Sequence, residues 1–172
     1  MENDMSQYNH IQHEFGPVYN EASEILILGS FPSVKSREQG FYYGHPQNRF
    51  WKVLSAVLKW EEPKTMEEKR SMLLTNHIAL WDVIDSCDII GSSDSSIRNA
   101  VPTDIPWLLT QTQISRIYTN GQTAGRLHQK LLQDKTGIET IILPSTSPAN
   151  AAWSFKQLTE VYRDQILCSQ MD

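Results

Sequence analysis

Cysteine is nearly missing from this chain. Cys87 and Cys168 are the two in 172 residues, they stand far apart, and neither has a CxxC partner. That excludes a four-cysteine zinc or iron–sulfur site made by this chain alone and argues against a disulfide-rich secreted scaffold. Also lacking is any apolar run approaching the ~20 residues of a membrane-spanning helix. Residues 1–13 are polar and carry no signal-peptide core. No zinc-protease motif, nucleophile elbow, P-loop or dinucleotide fingerprint is present. Neither a repeat nor a Pro/Gly/Ser linker divides the chain, so one domain over residues 1–172 is expected, with residues 1–23 as an N-terminal arm. A chain of this size buries roughly 70% of its unfolded surface, enough for a core without metal or disulfide. The expectation is a soluble, cytoplasmic protein that crosses no membrane.

The net charge of −5 opposes a polyanionic partner at first sight. Its distribution says otherwise. Residues 29–60 hold Lys35, Arg37, Arg49, Lys52 and Lys59 against the single acid Glu38, a local balance of 5 − 1 = +4. Residues 82–94 hold Asp82, Asp85, Asp88 and Asp94 and no base. The basic run reads either as a solvated face or as a patch for a polyanion. The acids at 82, 85 and 88, with no histidine among them, read as solvated surface rather than as a metal cluster.

Four apolar runs read as strands: residues 25–29, 80–84, 115–119 and 139–143. Helical patterns fall between them. Residues 49–59 place Phe50, Val53, Leu54 and Val57 on one face. Thr65 and Glu68 form a capping box for a helix to about Asn76. Asp104 with Pro106 opens a third helix to Gln111, and residues 122–134 and 155–168 give two more. Strands alternating with helices predict a three-layer α/β/α sandwich around a four-stranded parallel sheet. Sites in such folds form beyond the carboxyl ends of the strands.

Three loops lie there. The first, Gly29-Ser30-Phe31-Pro32-Ser33-Val34-Lys35-Ser36, is glycine-led and rich in hydroxyls that suit a phosphate, with Ser36 and Gln39 a candidate capping box. Phe41, Tyr42 and Tyr43 follow. A loop aromatic near a strand end can stack on a base, although at least one of the three should be core. His45 reads as a structural histidine, and Asn48 as the N-cap of the helix from Arg49. In the second loop Asn120 is either another cap or an amide that reads a base edge. The third, residues 144–150, has Ser145, Thr146 and Ser147 before a Ser-Pro helix start.

Together the loops resemble the uracil-DNA glycosylase superfamily, and within it the hypoxanthine (deoxyinosine) DNA glycosylase branch. The resemblance runs from about Ser23 to Leu167. It is carried by Leu28-Gly29-Ser30-Phe31-Pro32-Ser33, by Tyr42-Tyr43-Gly44-His45-Pro46-Gln47-Asn48-Arg49-Phe50-Trp51 and by Leu143-Pro144-Ser145-Thr146-Ser147-Pro148-Ala149-Asn150. Mismatch-specific uracil glycosylases carry a segment similar to the middle one. The resemblance implies base flipping and hydrolysis of the N-glycosidic bond. It also implies departures from the uracil enzymes: Phe31 where the first motif has its catalytic Asp or Asn, Leu143 where the closing motif has its histidine, and Ser147 in place of a leucine wedge. It assigns catalysis to Asn48, stacking on the base to Tyr43 and base reading to Asn120.

The resulting expectation is a monofunctional glycosylase that removes hypoxanthine from DNA carrying a deaminated base and leaves an abasic site. Gly29, Phe31, Tyr43 and Asn120 would hold the base. Asn48 would orient water, since an amide has no useful basicity. Ser30, Ser33, Lys35, Arg37, Arg49, Ser145, Ser147 and Asn150 would hold the DNA backbone. No cofactor or metal and a monomeric state are expected. A uracil- or mismatch-specific glycosylase and a non-catalytic nucleotide- or nucleic-acid-binding α/β module remain the alternatives.

Overall fold

The computed structural model describes residues 7–167. Its first half runs β1 (Asn9–Gln12), β2 (Ile25–Gly29), α1 (Val34–Gln39), α2 (Phe50–Leu58), α3 (Met66–Thr75), β3 (Ile78–Asp82) and β4 (Ile84–Ile89). A short 3₁₀ turn at Asp94–Ser96 leads to β5 (Arg98–Pro102), α4 (Ile105–Thr110), β6 (Arg116–Asn120), α5 (Gln122–Leu131), α6 (Gln133–Thr136), β7 (Thr140–Leu143) and α7 (Phe155–Leu167). The first six residues of the expected arm and the helix end at Cys168 lie outside the described residues.

The expected four-stranded parallel sheet is present, in the order β3-β2-β6-β7. A central parallel strand must be apolar on both faces, and every residue of β2 is buried. Side chains alternate across a strand. Ile25 and Ile27 therefore enter one core with Phe50, Val53, Leu54, Leu158 and Tyr162 of α2 and α7. Leu26 and Leu28 enter the other with Ile105 and Leu108 of α4 and Ala124 of α5. These are the two interfaces of a three-layer sandwich.

The second strand corrects the sequence reading. It spans residues 78–82, and residues 80–84 straddle its end. After Asp82 the chain leaves the sheet: Val83 N donates to Gly29 O at 2.8 Å and Ile84 N to Ser30 O at 3.1 Å. β4 then forms a separate antiparallel sheet in the order β1-β4-β5. Its outer strands, Asn-His-Ile-Gln and Arg-Asn-Ala-Val-Pro, are mostly exposed and have no apolar stripe to betray them. The arm thus joins the fold through β1 and through a bridge from Val18 to Leu80.

Two caps also move. Ser33, not Ser36, caps α1, its Oγ accepting from Ser36 N at 3.2 Å. No helix starts at Pro148. The chain turns there, and α7 begins only at Phe155 behind the capping box of Ser154 and Gln157.

Candidate active site

The register pairs Gly29 with Asp82, Leu28 with Thr119 and Asn120 with Leu143, so the three loops leave one end of the sheet side by side. They enclose a cavity of about 340 Å³, within the size range of small-molecule sites. Phe31, Tyr43, Asn48 and Asn120 share its walls with Gly29, Ser30, Ser33, Asp82, Asp94, Ser145, Thr146 and Ser147.

A polar relay crosses this cavity. Asn48 Oδ1 accepts from Phe50 N at 3.0 Å and from Thr146 Oγ1 at 2.8 Å. Thr146 Oγ1 in turn accepts from Asn120 Nδ2 at 2.9 Å, and Thr146 N donates to Asn120 Oδ1 at 2.9 Å. Backbone N–H groups fix both ends of this chain, so neither amide can be turned over without losing a bond. The N-cap of α2 is Arg49, not Asn48 as its position suggested; Asn48, one residue earlier, still satisfies Phe50 N. The same oxygen also locks Thr146, which is fully buried. Both lone pairs of Asn48 Oδ1 are occupied, and the uncommitted end of the side chain is its NH₂. The Asn120 amide also turns toward the Tyr43 hydroxyl. What Asn48 offers a ligand is donors.

Tyr43 takes a left-handed backbone, φ 52°, uncommon for a bulky residue. One face of its ring stacks on Phe50, with centroids 4.0 Å apart and an interplanar angle of 24°. Its buried hydroxyl meets the side-chain amide of Asn120. Burial, reinforced by the charge of Asp82, pushes that hydroxyl well above the usual tyrosine range, so it stays protonated. Gly29 has no room for a side chain, because a Cβ there would collide with Asp82 Oδ1 and crowd the Tyr43 hydroxyl at 3.2 Å. Of the other loop aromatics, Phe41 and Tyr42 are core, each 2% exposed. His45 lines the cavity, its Nδ1 accepting from Gln47 N at 3.1 Å.

The expected backbone-binding set divides. Ser30, Ser33, Ser145 and Ser147 line the cavity, and Lys35 is exposed beside Glu38 at 3.6 Å. Arg37 instead donates to Gly91 O at 2.8 Å and lies 5.8 Å from the Phe31 ring centre. Arg49 is turned inward as well, donating to the carbonyls of Ser147 at 3.2 Å, Asn150 at 3.1 Å and Trp153. Asn150 Nδ2 donates to Ser145 O at 3.0 Å and lines a groove adjoining the cavity. These three residues build loops rather than face a ligand. No basic run on the sequence could reveal that for the two arginines, because the carbonyls they hold lie 54 to 104 positions away. Among the described residues no Lys or Arg lines the cavity, and no three His, Cys, Asp or Glu side chains gather as a metal-ligand set.

Sequence reasoning missed Thr146, His13 and Asp82. Asp82 is 3% exposed rather than solvated surface. An acid ending a parallel strand was the available signal, hidden when that strand was bounded two residues late. Asp94 accepts from Ser30 Oγ at 2.8 Å, and its carboxyl is pushed up by desolvation, with the charge of Asp82 adding to the shift.

Comparison with known proteins gives the family and the fold. The profile of the "Uracil DNA glycosylase superfamily" matches residues 17–167. A hypoxanthine DNA glycosylase of Methanosarcina acetivorans is 37% identical over 152 residues, 87% of this chain and 95% of that protein. A hypoxanthine DNA glycosylase of Methanosarcina barkeri is 33% identical over 138 residues, 79% and 86% of the two chains. The solution NMR structure of a candidate uracil DNA glycosylase from M. acetivorans superposes with a TM-score of 0.73 at 35% identity, covering 87% of this chain and 94% of that one.

Proposed function

This chain belongs to the uracil DNA glycosylase superfamily, and from that premise we propose that it removes hypoxanthine from deoxyinosine in DNA by hydrolysing the N-glycosidic bond. The carrying observation is the convergence of Tyr43, Asn48 and Asn120 on one cavity, with the amide of Asn48 presenting N–H donors. Hypoxanthine lacks the exocyclic amine of adenine and offers acceptors in its place, so donors suit it.

The reaction begins with extrusion of the base, which costs a few kcal/mol and least at a damaged or mismatched pair. Tyr43, backed by Phe50, provides the stacking surface, and Phe31 closes the apolar side. Asn120 reads the base edge, its amide held by Thr146. Asn48 acts through its NH₂ rather than its oxygen. As the bond to the sugar C1′ lengthens, negative charge grows on the purine, and donors already fixed by the Thr146 relay stabilise that charge without reorganising. Ser30, Ser33, Lys35, Ser145 and Ser147 hold the flanking phosphates. The enzyme acts as a monomer, on cytoplasmic DNA, and leaves an abasic site.

The test is single-turnover incubation with oligonucleotides carrying inosine, uracil or xanthine, followed by scoring of abasic sites. Cleavage fastest on inosine is expected. Absence of abasic sites on all three would refute the reading and favour a binding module.

A further inference from the structure

Asp82 has no role in the account so far, and its setting is unusual. It ends β3 in register with Gly29, is 3% exposed, and lines the cavity that holds Tyr43, Asn48 and Asn120. Its Oδ2 accepts from His13 Nε2 at 2.7 Å, both side chains being almost fully buried. Its Oδ1 has no hydrogen-bond partner among the described residues, and it faces the space left by the missing side chain of Gly29. Burying a carboxylate is costly unless it is bonded. A carboxylate bonded on one side and open to a cavity on the other is arranged to accept something from that cavity.

We propose that Asp82, oriented by His13, is the general base of the hydrolysis and takes a proton from the water that attacks the sugar C1′. The proposal rests on the glycosylase reading above. Asn48, Asn120 and Phe31 have no useful basicity. His45 accepts at Nδ1, which puts its proton on Nε2 and makes that atom a donor. Asp94 lies on the short turn after β4, outside both sheets, and its Oδ1 is already bonded by Ser30. Asp82 is left, held on a sheet strand. His13 is a positioning residue. Its Nε2 faces the carboxylate and carries the hydrogen, and its buried Nδ1 has no partner, so the neutral ring leaves no orphaned N–H. Phe15 and Phe31 hold that ring edge-on, with centroids 4.6 and 6.0 Å away. In the step, the bond from water oxygen to C1′ forms as the bond from C1′ to N9 breaks. The electron pair leaves with the purine, the water proton passes to Asp82 Oδ1, and solvent protonates the departing base. Asp82 returns its proton to solvent.

The test compares wild type with Asp82→Asn in single turnover on inosine DNA. Asp82→Asn keeps shape and an acceptor for His13. It is expected to fold, to bind inosine DNA within about threefold of wild type, and to cleave on the order of 100-fold more slowly. Formate is expected to restore cleavage to Asp82→Ala, which a purely structural role would not allow. His13→Phe should lower the rate, and His13→Gln, which returns a donor, should recover part of it. A folded Asp82→Asn that cleaves within about threefold of wild type overturns the proposal. A wild type that cleaves nothing overturns the glycosylase reading itself, so the two failures are distinct. If Asp82→Asn does not fold, formate added to Asp82→Ala decides: restored cleavage supports the proposal, and cleavage that formate leaves unchanged overturns it.

Discussion

Replacing Asn48 separates its two jobs, and the structure selects the substitution. Asn48→Ala removes the acceptor for Phe50 N, worth about 1 kcal/mol as a lost hydrogen bond at the start of α2. It also orphans the hydroxyl of buried Thr146, about 1 kcal/mol more. The expected loss is about 2 kcal/mol, a fall in Tm of roughly 4–8 °C for a chain of this size. Serine is too short to serve both Phe50 N and Thr146. Asn48→Asp is the sharper probe. It is nearly isosteric and keeps an oxygen for each donor, so Tm should stay within about 3 °C. What it lacks is the NH₂. If that group stabilises the departing purine, cleavage of inosine DNA should fall on the order of 100-fold, the usual cost of losing one preorganised donor. The assay is single-turnover cleavage with excess protein, beside a thermal melt and a DNA-binding titration. A folded Asn48→Asp protein that cleaves like wild type would falsify the donor role and leave Asn48 a structural acceptor.

Gly29→Ala should cost about 1–3 kcal/mol from overpacking against Asp82 and lower cleavage by more than the melt alone accounts for, as kinetics on the folded fraction will show. Lys35→Ala should reduce the slope of log binding constant against log salt by about one. Arg49→Ala should leave that slope unchanged yet destabilise the fold by about 3 kcal/mol in urea titration, because three loop carbonyls lose their donor. His128 is buried beside Thr140, and desolvation holds its ring below the usual histidine range. The unfolded chain then binds a proton that the native state does not, so stability should drop as pH falls through about 6.5. His128→Gln should flatten that dependence in urea melts at pH 5 and 7.

The parallel sheet was legible because its signal is local. Ile25 to Leu28 are buried on both faces and read as an unbroken apolar run. The helices announced themselves through Thr65, Asp104 and the apolar face of α2, each a short-range device. The antiparallel sheet was not legible. β1 and β5 satisfy their backbones by pairing with β4 while burying little, so no periodicity marks them.

The same division runs through the site. Sequence order alone put Phe31, Tyr43, Asn48 and Asn120 on loops at strand ends, and a parallel sheet must bring such loops to one edge. Only the tertiary structure decided what each group offers there. Thr146 fixes two amides from 98 and 26 positions away. Arg37 and Arg49, basic on paper, are consumed by carbonyls from distant loops. Asp82 is acidic on paper and surface-like in its run, yet it is buried against the ring of His13, 69 positions away in the arm. Hydrogen-bond commitment and burial depend on partners that the chain meets only after folding, and no spacing rule along the sequence carries them.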